Sequence, residues 1–424
     1  MTDRLYYRDS FVRAFAANVT DIREASRADS ISIWQIALDR SAFYPTSGGQ
    51  PHDMGILRAK SRNGAVLEVP IESVTEDESG QVWHLTRKPL QTGTTVDGEI
   101  DWPRRMDHIQ QHSGQHLLSA VFARELNAPT VSFHLGDTIS TIDLACQPPA
   151  HHTIQRIERI ANELIAEDRT VGIRDVEPEE AAGLLASGAL RKLPEREGPI
   201  RLIEIADYDL NACGGTHVRS TGQIGGLMIR AIEKVSRGVR VEFVCGLRAV
   251  HFARNDFELL ARSAGLLSTK ATEIPTAMER LLAETKAAAK EKHRLREELT
   301  DYHAARLVVE EQMENNLRMV CRMFSDRDRE YVRMLASRVA AAVPRTIVLL
   351  ASTESSPAHV ILACSADLDL HCGELMREAL ATLGVRGGGS SSMAQGDVPS
   401  EEVVNFLAMM SRELGAAVRR KGTS

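Results

Sequence analysis

A chain of 424 residues is too long for one hydrophobic core and predicts two to four domains. Its 43% hydrophobic and 26% charged residues describe a soluble globular protein, and no run approaches the ~20 apolar residues of a membrane helix. A net charge of -7 and only 4% aromatic residues argue against a broad nucleic-acid surface or base-stacking platform. Any RNA contact must then use local basic patches or shape, and neither DNA nor a membrane is expected as a partner.

The first nine residues, Met1-Thr-Asp-Arg-Leu-Tyr-Tyr-Arg-Asp9, are polar and charged, so no secretory signal is expected and the expected location is cytoplasmic. Residues 1–100 read as a small β-barrel. Ile31, Ile33 and Leu38 fit a half-buried strand, and Thr46-Ser47-Gly48-Gly49-Gln50-Pro51 forces a tight connection. Runs at 66–74 and 82–85 are parted by the polar turn Glu76-Asp-Glu-Ser-Gly80. At Asp101-Trp102-Pro103 a capping side chain precedes a proline suited to a first helical turn. Met106, Ile109, Leu117, Val121 and Phe122 then recur at helical spacing until Asn127-Ala-Pro129. A strand near 138–144, a helix over 154–168, and strands near 200–205 and 239–244 complete a predicted core over 101–265.

From 271 to 309 the sequence predicts a long charged helix, and 266–315 reads as a helical spacer. Its seam of Leu281, Ala288, Leu295 and Tyr302 has mixed companions, which favours a helical hairpin or loose dimer contact over a strong coiled coil. The expectation for self-association is a homodimer through this spacer or the C-terminal domain. Residues 316–424 return to α/β character. Strands are predicted at 346–351 and 359–363, an amphipathic helix at 372–383 closed by Gly384, and a final helix after Ser400. Gly387-Gly-Gly-Ser-Ser-Ser392 reads as a flexible loop. The predicted fold class is α+β: N-terminal barrel, α+β core, helical spacer and C-terminal α/β domain.

Six cysteines, Cys146, Cys213, Cys245, Cys321, Cys364 and Cys372, are too scattered for a disulfide framework, and only Cys213 has a ligand-like context. His112-Ser-Gly-Gln-His116 places two imidazoles on one helix face. Cys213-Gly-Gly-Thr-His217 flanks a Gly-Gly turn that presents both side chains together. Three imidazoles and a thiolate suit tetrahedral Zn2+, one per chain. His108, one turn earlier, is left outside the ligand set. A zinc protease would need glutamate directly after its first histidine, where Ser113 stands here. Four protein ligands also fit a structural ion.

Arg105-Met-Asp-His-Ile-Gln-Gln-His112-Ser-Gly-Gln-His116-Leu-Leu-Ser together with Cys213-Gly-Gly-Thr-His217 resembles the editing domain of alanyl-tRNA synthetase and its free-standing relatives, the AlaX proteins. Phe43-Tyr-Pro-Thr-Ser-Gly-Gly-Gln-Pro-His-Asp-Met-Gly55 is similar to that family's glycine-rich loop. Ser132-Phe-His-Leu-Gly136 and Ser236-Arg-Gly-Val-Arg-Val-Glu-Phe243 are further likenesses. Gly384-Val-Arg-Gly-Gly-Gly-Ser-Ser-Ser-Met-Ala-Gln-Gly396 resembles the domain that follows editing in the synthetase, shared with DHH-type phosphoesterases, although no Asp-His-His occurs here. The resemblance covers nearly the whole chain and best fits the long AlaX form. It implies a zinc-dependent aminoacyl-tRNA hydrolase acting in trans on mischarged alanine tRNA, with seryl- and glycyl-tRNA of alanine identity as the candidate substrates and the balance between them left open. Thr46 and Ser47 are candidates for contact with the serine hydroxyl, Gly48 and Gly49 for approach to the 3′ adenosine, and Gln115 and His134 for holding water. Two other readings are a non-catalytic tRNA- or synthetase-binding module with a structural zinc, and a threonyl-type editing hydrolase.

Overall fold

The computed structural model describes residues 1–28, 31–60, 64–194 and 198–421. The chain divides into two compact units, Met1–Arg262 and Ser263–Ser424, each described by itself. The fold is α+β.

The first unit opens with seven antiparallel strands: β1 (Ala14–Ala28), β2 (Ile31–Leu38), β3 (Gly55–Lys60), β4 (Val66–Ile71), β5 (Ser73–Glu76), β6 (Val82–Thr86) and β7 (Thr95–Ile100), in the order β4-β3-β7-β1-β2-β6-β5. Two register shifts bend β1, so Ala14–Asn18 pairs with β7 while Val19 onward pairs with β2. The edge strands β4 and β5 are consecutive in the chain, with only Glu72 between them. Seven strands laid flat would hold their edges roughly 29 Å apart at ~4.8 Å per step, so the sheet must roll. The barrel expected here is thus a rolled sheet whose edges meet through the chain, with no ladder between β4 and β5 among the described residues. Val19, Ile36, Phe43, Leu57, Val69 and Val96 fill its inside.

Helix α1 (Trp102–Leu126) follows at once, with the Asp101 carboxylate accepting from Arg104 N and Asn127 closing it in the left-handed conformation. Next come β8 (Thr130–Leu135), β9 (Ser140–Leu144) and helix α2 (His151–Ala166). A three-stranded antiparallel sheet of β10 (Val171–Val176), β11 (Ile200–Ile205) and β12 (Asp209–Ala212) succeeds them. The hairpin β13 (Leu227–Val235) and β14 (Gly238–Cys245) completes a four-stranded sheet in the order β8-β9-β14-β13. Ile109, Leu117, Val121 and Phe122 of α1 pack against Ile142, Ile157, Val241 and Phe243. One stripe of α1 is therefore core, and another is left for chemistry.

Arg105, in the first turn of α1, plugs this helix into the rolled sheet. Its guanidinium bonds both carboxylate oxygens of Asp53, with Nε 3.0 Å from each, and donates to the carbonyls of Ser10 and Ala42. Both side chains of the ion pair are fully buried.

Helix α3 (Pro178–Ala186) lies between β10 and β11 in the chain, and α4 (Gly246–Leu266) follows β14. The second unit contains α5 (Ile274–Glu310), β15 (Arg318–Phe324), α6 (Arg329–Ala342), β16 (Thr346–Ser352), β17 (Ala358–Cys364), α7 (Cys372–Ala381), β18 (Gly387–Gly389), β19 (Met393–Val398) and α8 (Val403–Lys421). Its sheet has the order β15-β16-β17-β19-β18, parallel only between β15 and β16. Every residue of β16 and β17 is buried. Side chains alternate across a strand, so Ile347, Leu349 and Ala351 join α7 and α8 on one face, while Val348 and Leu350 meet α5 and α6 on the other. Ala304 and Leu307 of α5 belong to that second core, so the end of this helix is part of the folded unit.

The segment expected as a flexible glycine loop instead begins with β18, paired Gly387↔Gly396 through Gly389↔Ala394. The reason is close approach: a Cβ on Gly387 would fall 2.1 Å from Leu380 Cδ1, and one on Gly389 2.2 Å from Met393 O.

Candidate metal centre

Helix α1 presents His112 and His116 one turn apart toward the Cys213–His217 loop that follows β12. One ligand atom from each of His112, His116, Cys213 and His217 lies within 4.8 Å of all the others. Cys213 Sγ is 3.4 Å from His112 Nε2 and 3.3 Å from His217 Nε2. The edge of a tetrahedral N/S site is roughly 3.5 Å for bonds near 2.0 and 2.3 Å. The spacing therefore fits a shared cation, and the sequence-predicted ligand set converges.

Each imidazole is oriented from behind. His112 Nδ1 is 2.9 Å from Gln50 Oε1, which accepts its proton and leaves the Nε2 lone pair facing the group. Ser113 Oγ stands 3.2 Å from His217 Nδ1 and also accepts from Val218 N at 3.1 Å. The serine that stands where a protease would need glutamate thus orients a ligand. Behind His116 lies the Asn211 side chain, 3.5 Å from Nδ1, tied into a network with Asp209 and Arg191.

Gln50 arrives by a tight turn. Ser47 and Gln50 exchange backbone hydrogen bonds of 3.2 and 2.9 Å around Gly48 and Gly49, whose φ values of 53° and 79° belong to a primed hairpin turn. The turn sends Gln50 inward, where Nε2 donates to Thr216 Oγ1 at 2.8 Å and Oε1 accepts from Thr216 N at 3.0 Å. Gly215 has a different reason to be glycine. A Cβ there would sit 2.1 Å from His112 Cε1, so clearance for the ring requires it.

Burial dominates the electrostatics. It holds His112 and His217 well below the usual imidazole range and His116 at about 3, with further lowering from neighbouring positive groups including Arg201. The three rings are neutral donors. Burial pushes the Cys213 thiol up, opposed by the Gly215 N–H, 3.3 Å from Sγ, and by Arg201. Arg201 grips the same loop by donating to the carbonyls of Cys213 at 2.8 Å and Gly215 at 2.9 Å. Burial likewise holds His108 at about 3; its Nδ1 has no hydrogen-bond partner among the described residues, and it lies outside the ligand group.

A cleft of about 540 Å³ opens beside the group, lined by His116 and Cys213 with Gly48, Gln115, Phe133 and Arg191 among others. Of the remaining sequence-predicted residues, Thr46 is exposed with Oγ1 3.0 Å from His52 Nδ1, and Ser47 and His134 are exposed. Those three are not among the cleft's lining residues. Gly49 packs under Phe133, whose Cε2 would be 2.6 Å from a Cβ there.

Three stretches of the chain match known protein families. Residues 1–104 match the model of class II (A) tRNA synthetases, 200–241 that of the threonyl and alanyl tRNA synthetase second additional domain, and 316–416 the DHHA1 domain. The "Alanyl-tRNA editing protein AlaX-L" of Pyrococcus horikoshii is 28% identical, over 95% of this chain and 96% of that protein. Three parts of the chain thus match domains of alanyl-tRNA synthetases, and nearly its whole length is similar to a relative named as an alanyl-tRNA editing protein. The alanine--tRNA ligases of Thermococcus kodakarensis and Pyrococcus furiosus are 31% and 32% identical, over 96% and 94% of this chain. The chain spans only 43% and 42% of those ligases. Cys213 and His217 fall inside the second match, whereas His112 and His116 lie between the first two.

Proposed function

We propose that this chain is a trans-editing hydrolase that cleaves the ester between a wrong amino acid and the ribose of alanine tRNA. The observation that carries the reading is the buried His112, His116, Cys213 and His217 group beside an open cleft. The near end-to-end likeness to a relative named as an editing protein supports it. A pocket for alanine discriminates poorly against serine and glycine, because differences of one small group give only ~10- to 200-fold selection. Seryl- and glycyl-tRNA of alanine identity are therefore the substrates in this reading, and tRNA is the partner. The expected setting is the cytoplasm; among the described residues no helix is long and apolar enough to cross a membrane.

One Zn2+ per chain is the resident ion, since three neutral imidazoles and one thiol are its preferred donors. When bound, zinc supplies Lewis acidity and an anchor for electron-rich atoms of the substrate. Gln50 and Ser113 orient His112 and His217, and Arg201 holds the Cys213 loop. The turn Thr46-Ser47-Gly48-Gly49 borders the approach of the 3′ adenosine, while Gln115 and His134 stand as candidates for holding water. A homodimer through α5 or the C-terminal unit is in keeping with the exposed Leu281, Leu282 and Tyr302 on α5.

The test is deacylation of seryl-, glycyl- and alanyl-tRNA of alanine identity, with zinc counted by elemental analysis. The expected result is release of serine in preference to alanine, with about one zinc per chain and loss of activity on chelation. Zinc-replete protein that frees serine no faster than buffer overturns the reading.

A further inference from the structure

Gln115 is one residue before His116 on α1, is 5% exposed, and lines the cleft beside the metal group. Its two amide atoms have different fates. Nε2 donates to Ser119 Oγ at 2.9 Å, and Ser119 Oγ is held in turn by Thr130 Oγ1 at 2.7 Å. Oε1 is buried and has no hydrogen-bond partner among the described residues. The Thr130–Ser119 pair anchors the amide and leaves Oε1 a bare, buried acceptor within this cleft-lining residue.

An unpaired buried carbonyl costs roughly 1–3 kcal/mol, so it is tolerated where a ligand completes it. Oε1 can only accept, so the ligand must bring a donor. Two features choose among donors. Arg191 and Lys192, also lining the cleft, together with the cation proposed for the neighbouring ligands, disfavour a charged ammonium. Pro129, Val131 and Phe133 give the cleft an apolar side, and of the other polar side chains lining it Ser119 and Thr130 are bonded to each other and Ser132 to Asp143.

We infer that Gln115 Oε1 is the acceptor for a hydroxyl on the side chain of the bound amino acid, making Gln115 a specificity residue. Serine completes the hydrogen bond. Alanine leaves Oε1 bare, as it stands in the structure, and that penalty spares the correctly charged tRNA. The sequence points to Thr46 and Ser47 for this contact, but the exposed Thr46 hydroxyl lies 3.0 Å from His52 Nδ1 and neither residue lines the cleft. The inference rests on the editing reading for its substrate, although its test reads binding.

The probes are adenosine analogues whose 3′ oxygen is replaced by nitrogen, acylated with serine, alanine, O-methylserine or N-acetylserine, so that a stable amide stands for the ester. Zinc-loaded protein should bind the seryl probe about 5- to 150-fold tighter than the alanyl one. O-methylation, which removes the donor, should abolish the preference, and N-acetylation should retain it. Gln115→Met should bind seryl and alanyl probes alike with zinc content unchanged, and Gln115→Glu, which keeps an acceptor, should restore the preference. The inference is overturned if Gln115→Met keeps the preference or if N-acetylation alone removes it. Equal weakening of both probes in Gln115→Met also overturns it. Turnover of seryl-tRNA by the unaltered protein separates the two claims. A Gln115-dependent preference without turnover defeats only the hydrolase reading, whereas turnover without that preference defeats only the role of Gln115.

Discussion

Helix α1 and strands β16 and β17 are the most thoroughly buried stretches of their units, yet their chemistry is opposite. From Gln110 to His116 every residue of α1 is buried and every side chain except that of Gly114 is polar. β16 and β17 are just as buried and mainly aliphatic, with Thr346, Ser352 and His359 their polar side chains. In the strands, burial itself is the stabilising force, at about 25 cal/mol per Å² removed from water. In α1, burial opposes stability unless each polar group finds a partner. Near-complete satisfaction there, from Gln111 on Cys245 to Gln50 on His112, marks a stretch kept for what it does.

The contrast breaks most sharply at Arg105. Arg105→Met strands Asp53 without its counter-charge and should cost about 3–5 kcal/mol in denaturant unfolding, whereas Arg105→Met with Asp53→Leu should recover most of it. A single substitution without effect would show that the buried pair is idle.

Leu349→Ala tests the apolar side. This fully buried side chain should cost about 2–5 kcal/mol in the second unit while zinc per chain stays unchanged. Loss of zinc in that variant would show that the units are not energetically separate.

His84 tests a satisfied polar group away from the metal. Buried in β6, it lies 2.9 Å from the Ile36 carbonyl through Nδ1 and 2.7 Å from Ser41 Oγ through Nε2, and burial holds it at about 4. The unfolded chain takes up a proton near pH 6.5 and the folded one only near 4. Its contribution is thus complete above 6.5 and is lost as pH falls toward 4, about 3 kcal/mol in all. His84→Gln should flatten that part of the stability–pH curve; an unchanged slope would assign the acid sensitivity to other groups.

The smallest effect is expected at the groups behind the ligands. Gln50→Ala and Ser113→Ala should weaken zinc about 10- to 100-fold by competition with a chelating dye. Unaltered affinity in both would mean that the imidazoles need no orientation.

Legibility in the sequence followed the same divide. The ligand set was readable because each pair is local: four residues apart on a helix, or across a Gly-Gly turn. β16 and β17 were readable as apolar runs, and α1 from its cap and core stripe. What stayed hidden is what partners at long range. Gln50 meets His112 across 62 positions, Ser113 meets His217 across 104, and Asp53 meets Arg105 across 52, with no local periodicity to announce them. β18 was read as loop because glycine has little strand preference; only the approach of Leu380 and Met393 explains it. The edges of the rolled sheet were hidden as well, since Glu72 reads as one strand residue among others.

That single-residue corner has a consequence for life in a crowded solution. A sheet edge with free N–H and C=O groups is a template for foreign strands. Here the edges are β4 and β5, six and four residues long, with Pro70 removing a donor from β4 and Glu68 and Glu76 adding charge. Because Glu72 ties them at one corner, neither can swing outward to meet a neighbour without unrolling the whole sheet. The rolled topology thereby guards the module against joining copies of itself into fibres.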